Sequence, residues 1–244
     1  MTKLQDQIAL VTGGGSGIGR AIAASLAQEG CRVVITARSE DTLREAAGSM
    51  AGAHPVQWKT CDVSDRKDVA KLFAWLPQNG GPPDILVNSA GINVANRMMA
   101  NIDPDEFDQV MGVNVTGTFN CIHAALPSMR EKKSGLIINV ISVAGRRTML
   151  LAGLPYCVSK SAQGTLGTFV NLEDSEHGIK VTNIYPGETN TPIVDKRPTP
   201  PPPEKRAAML QPEDVAACVL AVAKLPARAV VPELIVTPPY MMLD

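Results

Sequence analysis

Tyr156 and Lys160 stand four residues apart in the stretch Tyr-Cys-Val-Ser-Lys. On a helix that spacing puts both side chains on one face, so a phenol and an ammonium share one wall of a cavity. A free phenol titrates near ~10 and moves protons poorly at neutral pH. A neighbouring cation favours the phenolate, which is expected to lower that value towards the working range of a general acid or base. Tyr-x-x-x-Lys also arises by chance on many helices, so its weight depends on what surrounds it.

Ahead of the pair lies Gly13-Gly14-Gly15-Ser16-Gly17-Ile18-Gly19-Arg20, preceded by an apolar run over 8–12 and followed by an alanine-rich helical pattern. Glycines permit the tight turn and let the backbone approach a pyrophosphate, whose charge sits at the helix N-terminus. With a strand before and a helix after, dinucleotide binding is favoured over a merely flexible turn. No lysine follows the second glycine, which argues against a nucleoside-triphosphate loop.

The second predicted strand ends in Ala37 and Arg38, where an acid would hold the ribose hydroxyls of NAD. A guanidinium there suits a 2′-phosphate, so NADP is favoured over NAD, with a solvated surface arginine as the alternative. Asp62, followed by Val63, comes after the third strand. Its carboxylate suits either the adenine amino group or the cap of a helix beginning near residue 65.

The elements that must position these groups follow from apolar runs alternating with amphipathic stretches, the pattern of a parallel sheet covered on both faces. Strands are predicted over 8–12, 32–37, 56–61, 85–88, 136–142, 180–185 and 234–237. Helices are predicted to begin near residues 17, 39, 65, 105, 155 and 212. Ser39 followed by Glu-Asp, and Pro212-Glu213-Asp214, supply cap chemistry. The expectation is one domain over 1–244 with a seven-stranded, doubly wound α/β sheet of Rossmann type. The run Arg197-Pro198-Thr199-Pro200-Pro201-Pro202-Pro203 is expected to be extended, a stiff connection rather than a ligand for a peptide-binding domain.

A net charge of −1 gives no reason to expect nucleic acid or an acidic membrane as partner. The five scattered cysteines include no Cys-x-x-Cys, and His54, His123 and His177 lie far apart, so no disulfide framework or metal site is expected. No leader and no membrane-spanning run is read, which points to a cytoplasmic protein.

Taken together, these motifs resemble the short-chain dehydrogenase/reductase family over nearly the whole chain. Thr12 with the glycine loop is similar to its Thr-Gly-x-x-x-Gly-x-Gly, and Asn88-Ser89-Ala90-Gly91 to its Asn-Asn-Ala-Gly turn. Asn114 falls at its helix-bending asparagine, Ser142 at its catalytic serine, and Tyr185-Pro186-Gly187 with Thr191 at its nicotinamide-side turn. Ser89 departs from the family's asparagine, and Ser16 lacks the basic side chain of many NADP-using members. The ending 232–238, the Pro-Gly-Glu and the proline run look like the branch holding 3-hydroxy-acid and serine dehydrogenases.

The resemblance implies hydride transfer between NADP(H) and a secondary alcohol or carbonyl. Tyr156 would be the general acid or base, Lys160 its pKa-lowering partner and ribose ligand, and Ser142 the substrate-oxygen donor. Asn114 would anchor a water relay. Gly13, Gly15, Ser16, Gly17, Ile18, Gly19, Asn88, Ala90, Gly91, Pro186, Gly187, Thr189 and Thr191 would line the cofactor with Arg38, Asp62 and Val63. Substrate contacts are expected from 93–99, 143–154 and a loop over about 188–211. Arg146 and Arg147 are candidates for a carboxylate clamp or for a solvated rim. The resemblance also implies a homodimer or homotetramer paired through the helices beginning near 105 and 155. A non-catalytic NADP(H)-binding sensor is the alternative, disfavoured because all four catalytic positions are filled. An epimerase or dehydratase on the extended relative of the fold is disfavoured by length.

Overall fold

Alternation along the first strand sets the architecture. In β1 (Ile8–Thr12), Ala9 and Val11 face one layer of helices and Leu10 faces the other. The same alternation recurs in β2 (Arg32–Ala37) and β4 (Ile85–Asn88), so both faces of the sheet are apolar and both must be covered. The computed structural model describes residues 3–241. It joins these strands to β3 (Gln57–Thr60), β5 (Gly135–Val140), β6 (Ile179–Pro186) and β7 (Glu233–Val236). The result is a seven-stranded sheet of order β3-β2-β1-β4-β5-β6-β7, parallel at every pairing.

Helices α1 (Gly17–Gln28), α2 (Glu40–Ser49) and α8 (Pro212–Ala223) cover one face. On the other lie α3 (Arg66–Trp75), α5 (Gly117–Lys132) and α6 (Leu154–Glu173). Ser39 Oγ accepts from Thr42 N and Asp214 from Gln211 N, at the helix starts where the sequence supplies cap chemistry, while the cap of α3 is Asp65, accepting from Lys67 N. The chain winds outward through β2 and β3, then returns across β1 to β4. That reversal leaves a crevice at the carboxyl ends of β1 and β4.

Three departures from the sequence expectation matter for the site. The helix expected from near 105 is α4 (Pro104–Met111) continued into α5 through a π-helical turn, Gly112–Thr116, which contains Asn114. Strand β5 stops at Val140, short of the predicted 142, because Ser142 leaves the ladder and its Oγ caps a short turn, accepting from Ala144 N at 3.2 Å. The proline run is extended only through Pro202. Pro203 opens α7 (Pro203–Ala208), where a first-turn proline has no hydrogen bond to lose.

A ladder of asparagines crosses the sheet beneath α6. Asn88, Asn139 and Asn183 are in register on β4, β5 and β6. Asn88 Nδ2 donates to Asn139 Oδ1 at 3.0 Å, and Asn139 Nδ2 to Asn183 Oδ1 at 3.0 Å. Asn183 Nδ2 then donates to the Gly164 carbonyl at 2.9 Å, tying the ladder to the helix that carries Tyr156. Gly167 makes the close approach possible, since a Cβ there would fall 2.2 Å from Asn183 Oδ1. At its far end α6 is fixed to α5 by a bidentate pair between Arg130 and the fully buried Asp174.

Candidate active site

The crevice floor is bare backbone. Gly13 adopts φ +66°, and a Cβ there would meet Ala90 Cα at 2.9 Å, so the β1 and β4 turns touch without side chains between them. Thr12 Oγ1 clamps the two turns together by accepting from Ser89 N and Ala90 N, both at 3.1 Å. Backbone amides make this clamp, so it does not depend on the side chain at 89. Ser16 precedes α1 with no side-chain cap bond, and the first turn of α1 holds no acid. Its leading N–H groups are thus free to face an anion.

At one end the crevice is lined by Gly13, Ala37, Arg38, Asp62, Val63, Ala90 and Gly91. Arg38 is exposed and makes no ion pair among the described residues, so its guanidinium is available to a phosphate. Asp62 Oδ1 accepts from Ser64 N at 2.9 Å and Ser64 Oγ at 2.6 Å, while Asp65 caps α3. Of the two expected uses of Asp62, the helix cap is therefore taken by its neighbour, and its second oxygen is left for a ligand.

The middle of the crevice passes Ser16, Gly17, Ile18, Gly19 and Gly91 to Tyr156 and Lys160. A Cβ at Gly91 would lie 3.4 Å from Lys160 Nζ and 3.5 Å from Asn114 Oδ1, so glycine keeps open a cradle directly above both groups. Pro186, Gly187, Thr189 and Thr191 close the other end with Ser142 and Tyr156. Gly15 and Asn88 are buried behind this surface rather than lining it. The residues present thus fit an extended dinucleotide from Arg38 to Thr191.

Lys160 is buried, with Nζ 5.6 Å from the centre of the Tyr156 ring. It donates to the Val140 carbonyl at 3.0 Å and to Gln163 Oε1 at 2.8 Å, and it makes no ion pair with a carboxylate among the described residues. Burial pulls its pKa down to about 7. Tyr156 moves opposite to the sequence expectation. Burial pushes its pKa up to about 12, with the Ser142 hydroxyl opposing by hydrogen bonding, the Cys157 thiol adding to the rise, and Arg197 and Arg97 lowering it. The adjacent ammonium does not reverse this, because the environment that traps the lysine also penalises the phenolate.

Asn114 is fully buried below Gly91. Its amide exchanges two bonds with the Ile92 backbone, at 2.8 and 3.1 Å, and donates to Ser159 Oγ at 3.0 Å. The π-helical turn directs its side chain to the β4 loop while its own carbonyl accepts from Thr118 Oγ1 at 2.8 Å.

Arg146 and Arg147 turn away from the cleft. Arg146 pairs with Glu233 and lies 5.5 Å over the Tyr185 ring, and Arg147 is exposed. The arginines lining the cleft beside Tyr156 are instead Arg97 and Arg197, accompanied by Glu188, Met149, Leu151 and Ile193. Arg97 was open to detection, being the sole charge in the predicted substrate stretch 93–99. Gln163 carried no such signal.

A parallel sheet reversed at a glycine-floored crevice, with a tyrosine and a buried lysine at its midpoint, is a Rossmann-type α/β arrangement. The short chain dehydrogenase pattern matches residues 7–201, and the chain belongs to that family. An uncharacterized oxidoreductase of Staphylococcus aureus strain MRSA252 is 36% identical over 238 residues, spanning 98% of this chain and 100% of the relative. An alcohol dehydrogenase from the archaeon Thermococcus sibiricus, complexed with 5-hydroxy-NADP, superposes with a TM-score of 0.87 at 26% identity, covering 98% of this chain and 99% of that one. A serine dehydrogenase complexed with NADP+ gives 0.89 at 26% identity over 97% of each chain. The protein is therefore an oxidoreductase of this family.

Proposed function

We propose that the enzyme interconverts a secondary alcohol and a carbonyl with NADP(H), using Tyr156 as the proton donor or acceptor. The observation that carries this reading is that Ser142, Tyr156 and Lys160 line two adjoining cavities that share Tyr156, and that Gly13 and Gly91 join these to a third lined by Arg38, which makes no ion pair among the described residues. NADP-bound relatives support the choice of cofactor. Bound there, the nicotinamide supplies or accepts the hydride.

The chain's own residues do the rest. With its pKa near 12, Tyr156 carries its proton at neutral pH and donates it to the oxygen that becomes the alcohol. Ser142 Oγ hydrogen-bonds the same oxygen and orients it. Protonated Lys160 has two of its three N–H groups committed to Val140 and Gln163, and the third would hold the ribose hydroxyls of the cofactor. Asn114 holds the Ile92 backbone that roofs the lysine and anchors the proton path towards solvent. Arg38 would hold the 2′-phosphate and Asp62 the adenine amino group. The segment 188–211 forms the substrate side.

A cytoplasmic homo-oligomer fits these features. No helix among the described residues is long and apolar enough to cross a membrane, and α5 and α6 expose Phe119, Phe169 and Leu172. The test of the function is NADPH oxidation across a panel of carbonyl compounds. Turnover of at least one class, with NADH much poorer, is expected. Tight NADPH binding with no turnover on any carbonyl or alcohol would replace this reading with a binding protein.

A further inference from the structure

The cleft beside Tyr156 holds a cation that no carboxylate of the described chain answers. Arg97 is 5% exposed. Its stem lies against Gly153, where a Cβ would fall 2.5 Å from Arg97 Cβ and Cγ. Its guanidinium donates to three backbone carbonyls, Ala95 at 3.4 Å, Leu151 at 3.3 Å and Lys196 at 2.7 Å. A guanidinium has five N–H groups, so two are left, and the carbonyls that orient it carry no charge to neutralise it.

Arg197 lines the same cleft with its side chain 13% exposed. Burial lowers the Arg97 pKa first, and the Arg197 charge lowers it further. Glu188 also lines the cleft but is already engaged by Arg197 at 2.8 Å, Tyr240 Oη at 2.8 Å and Lys205 at 3.5 Å. Tying loops together needs donors, not a charge. A buried, oriented, unneutralised guanidinium is the arrangement that binds an anion in two-pronged fashion. Both arginines also act electrostatically on the Tyr156 phenol, so the anion would sit close to the reacting oxygen.

We propose that Arg97, backed by Arg197, seats a carboxylate of the substrate, and that the enzyme acts on short oxo or hydroxy acids. This deepens the function proposed above and rests on it. The substrate is held at two points, its reacting oxygen by Ser142 and Tyr156 and its carboxylate by Arg97. The apolar side chains of Met149, Leu151 and Ile193 line the space for the carbons. Two fixed points present one face of the carbonyl carbon to the cofactor, so the product is a single stereoisomer.

The experiment compares short oxo acids with their methyl esters, which keep the carbonyl and lose the charge. Wild-type enzyme with NADPH is expected to favour the acid by about 100-fold in kcat/KM, the size expected for a buried charge-paired contact. Arg97→Met should cost the acid about 100-fold more than the ester, and Arg97→Lys should restore part of the difference. In parallel, malonate is titrated calorimetrically into the NADP-loaded protein. Binding by wild type that is lost in Arg97→Met, with NADP affinity retained, supports the seat. Esters used as well as acids by the wild type would overturn it without needing any variant to fold. Equal losses for acid and ester in Arg97→Met would overturn it too. Arg97-dependent malonate binding with no turnover of any carbonyl would uphold the seat and reject the reductase reading instead.

Discussion

Lys160 Nζ donates to Gln163 Oε1 at 2.8 Å, and both side chains are buried. One turn of α6 separates them, and the interaction extends inward. Gln163 Nε2 donates to Thr118 Oγ1 at 2.9 Å, and Thr118 Oγ1 donates to the Asn114 carbonyl at 2.8 Å. Thr118 Oγ1 gives its one hydrogen to the Asn114 carbonyl and so accepts from Gln163 Nε2, which turns Gln163 Oε1 towards the ammonium. The π-helical turn supplies the last acceptor. The lysine and the bent helix are thereby one unit.

Gln163 is then a positioning residue for Lys160. Gln163→Leu removes an acceptor from the ammonium and should lower the Lys160 pKa further, while Gln163→Glu should raise it. A hydrogen bond to a charged group contributes roughly 1.5–3 kcal/mol, so kcat should fall by about tenfold or more in the leucine variant. The readout is the pH–rate profile, whose Lys160-dependent limb should move in opposite directions in the two variants. Unmoved profiles in both would contradict the assignment.

Burial of Lys160 also has a consequence for stability. Its pKa is about 7 in the fold against an ordinary 10.5, so the folded state binds fewer protons than the unfolded one between those values. Stability contributed through this group therefore rises as pH rises from about 7 to 10.5, and its burial is most costly below about 7. Unfolding of wild type and Lys160→Met, compared across that range, should give a difference that grows in favour of wild type with pH. The comparison isolates the lysine from Cys31 and Cys61, whose thiols, held up to about 12 by burial, oppose the trend above 9.0 in both proteins.

Arg38→Ala should weaken NADPH binding by about 10–100-fold, the scale of one charge-assisted phosphate contact, and leave NADH affinity within about twofold. Fluorescence titration of each cofactor measures this. Equal affinities in wild type would place the 2′-phosphate elsewhere.

Arg146→Ala separates the two pairs of arginines. Arg146 is half-exposed, and its pairing with Glu233 is screened by solvent, so the substitution should cost about 1 kcal/mol or less. Its kcat/KM should stay within about twofold of wild type. A large KM rise for acidic substrates would return Arg146 to the cleft.

The sheet and its crevice were legible because strand alternation and glycine placement are local properties of the chain. Arg146 and Arg147 drew attention by adjacency to Ser142, yet the short turn after β5 carries them outward. No sequence rule reports that rotation. Gln163 and the Asn88–Asn139–Asn183 ladder read as ordinary polar positions, since their meaning depends on register between strands and on the Gly167 contact. The Tyr156 shift runs opposite to the one its spacing from Lys160 suggests, for a related reason. Spacing shows that a cation is near, but the degree of burial decides which charge state prevails.

The most direct test of the central claim is Tyr156→Phe, assayed side by side for NADPH binding and for NADPH-dependent carbonyl reduction. The variant is expected to bind NADPH within about twofold of wild type, keep its thermal midpoint, and lose about 10²–10⁴-fold in turnover, the range for a positioned proton donor. Turnover at the wild-type rate would show that the proton comes from another group and that Tyr156 is not the acid.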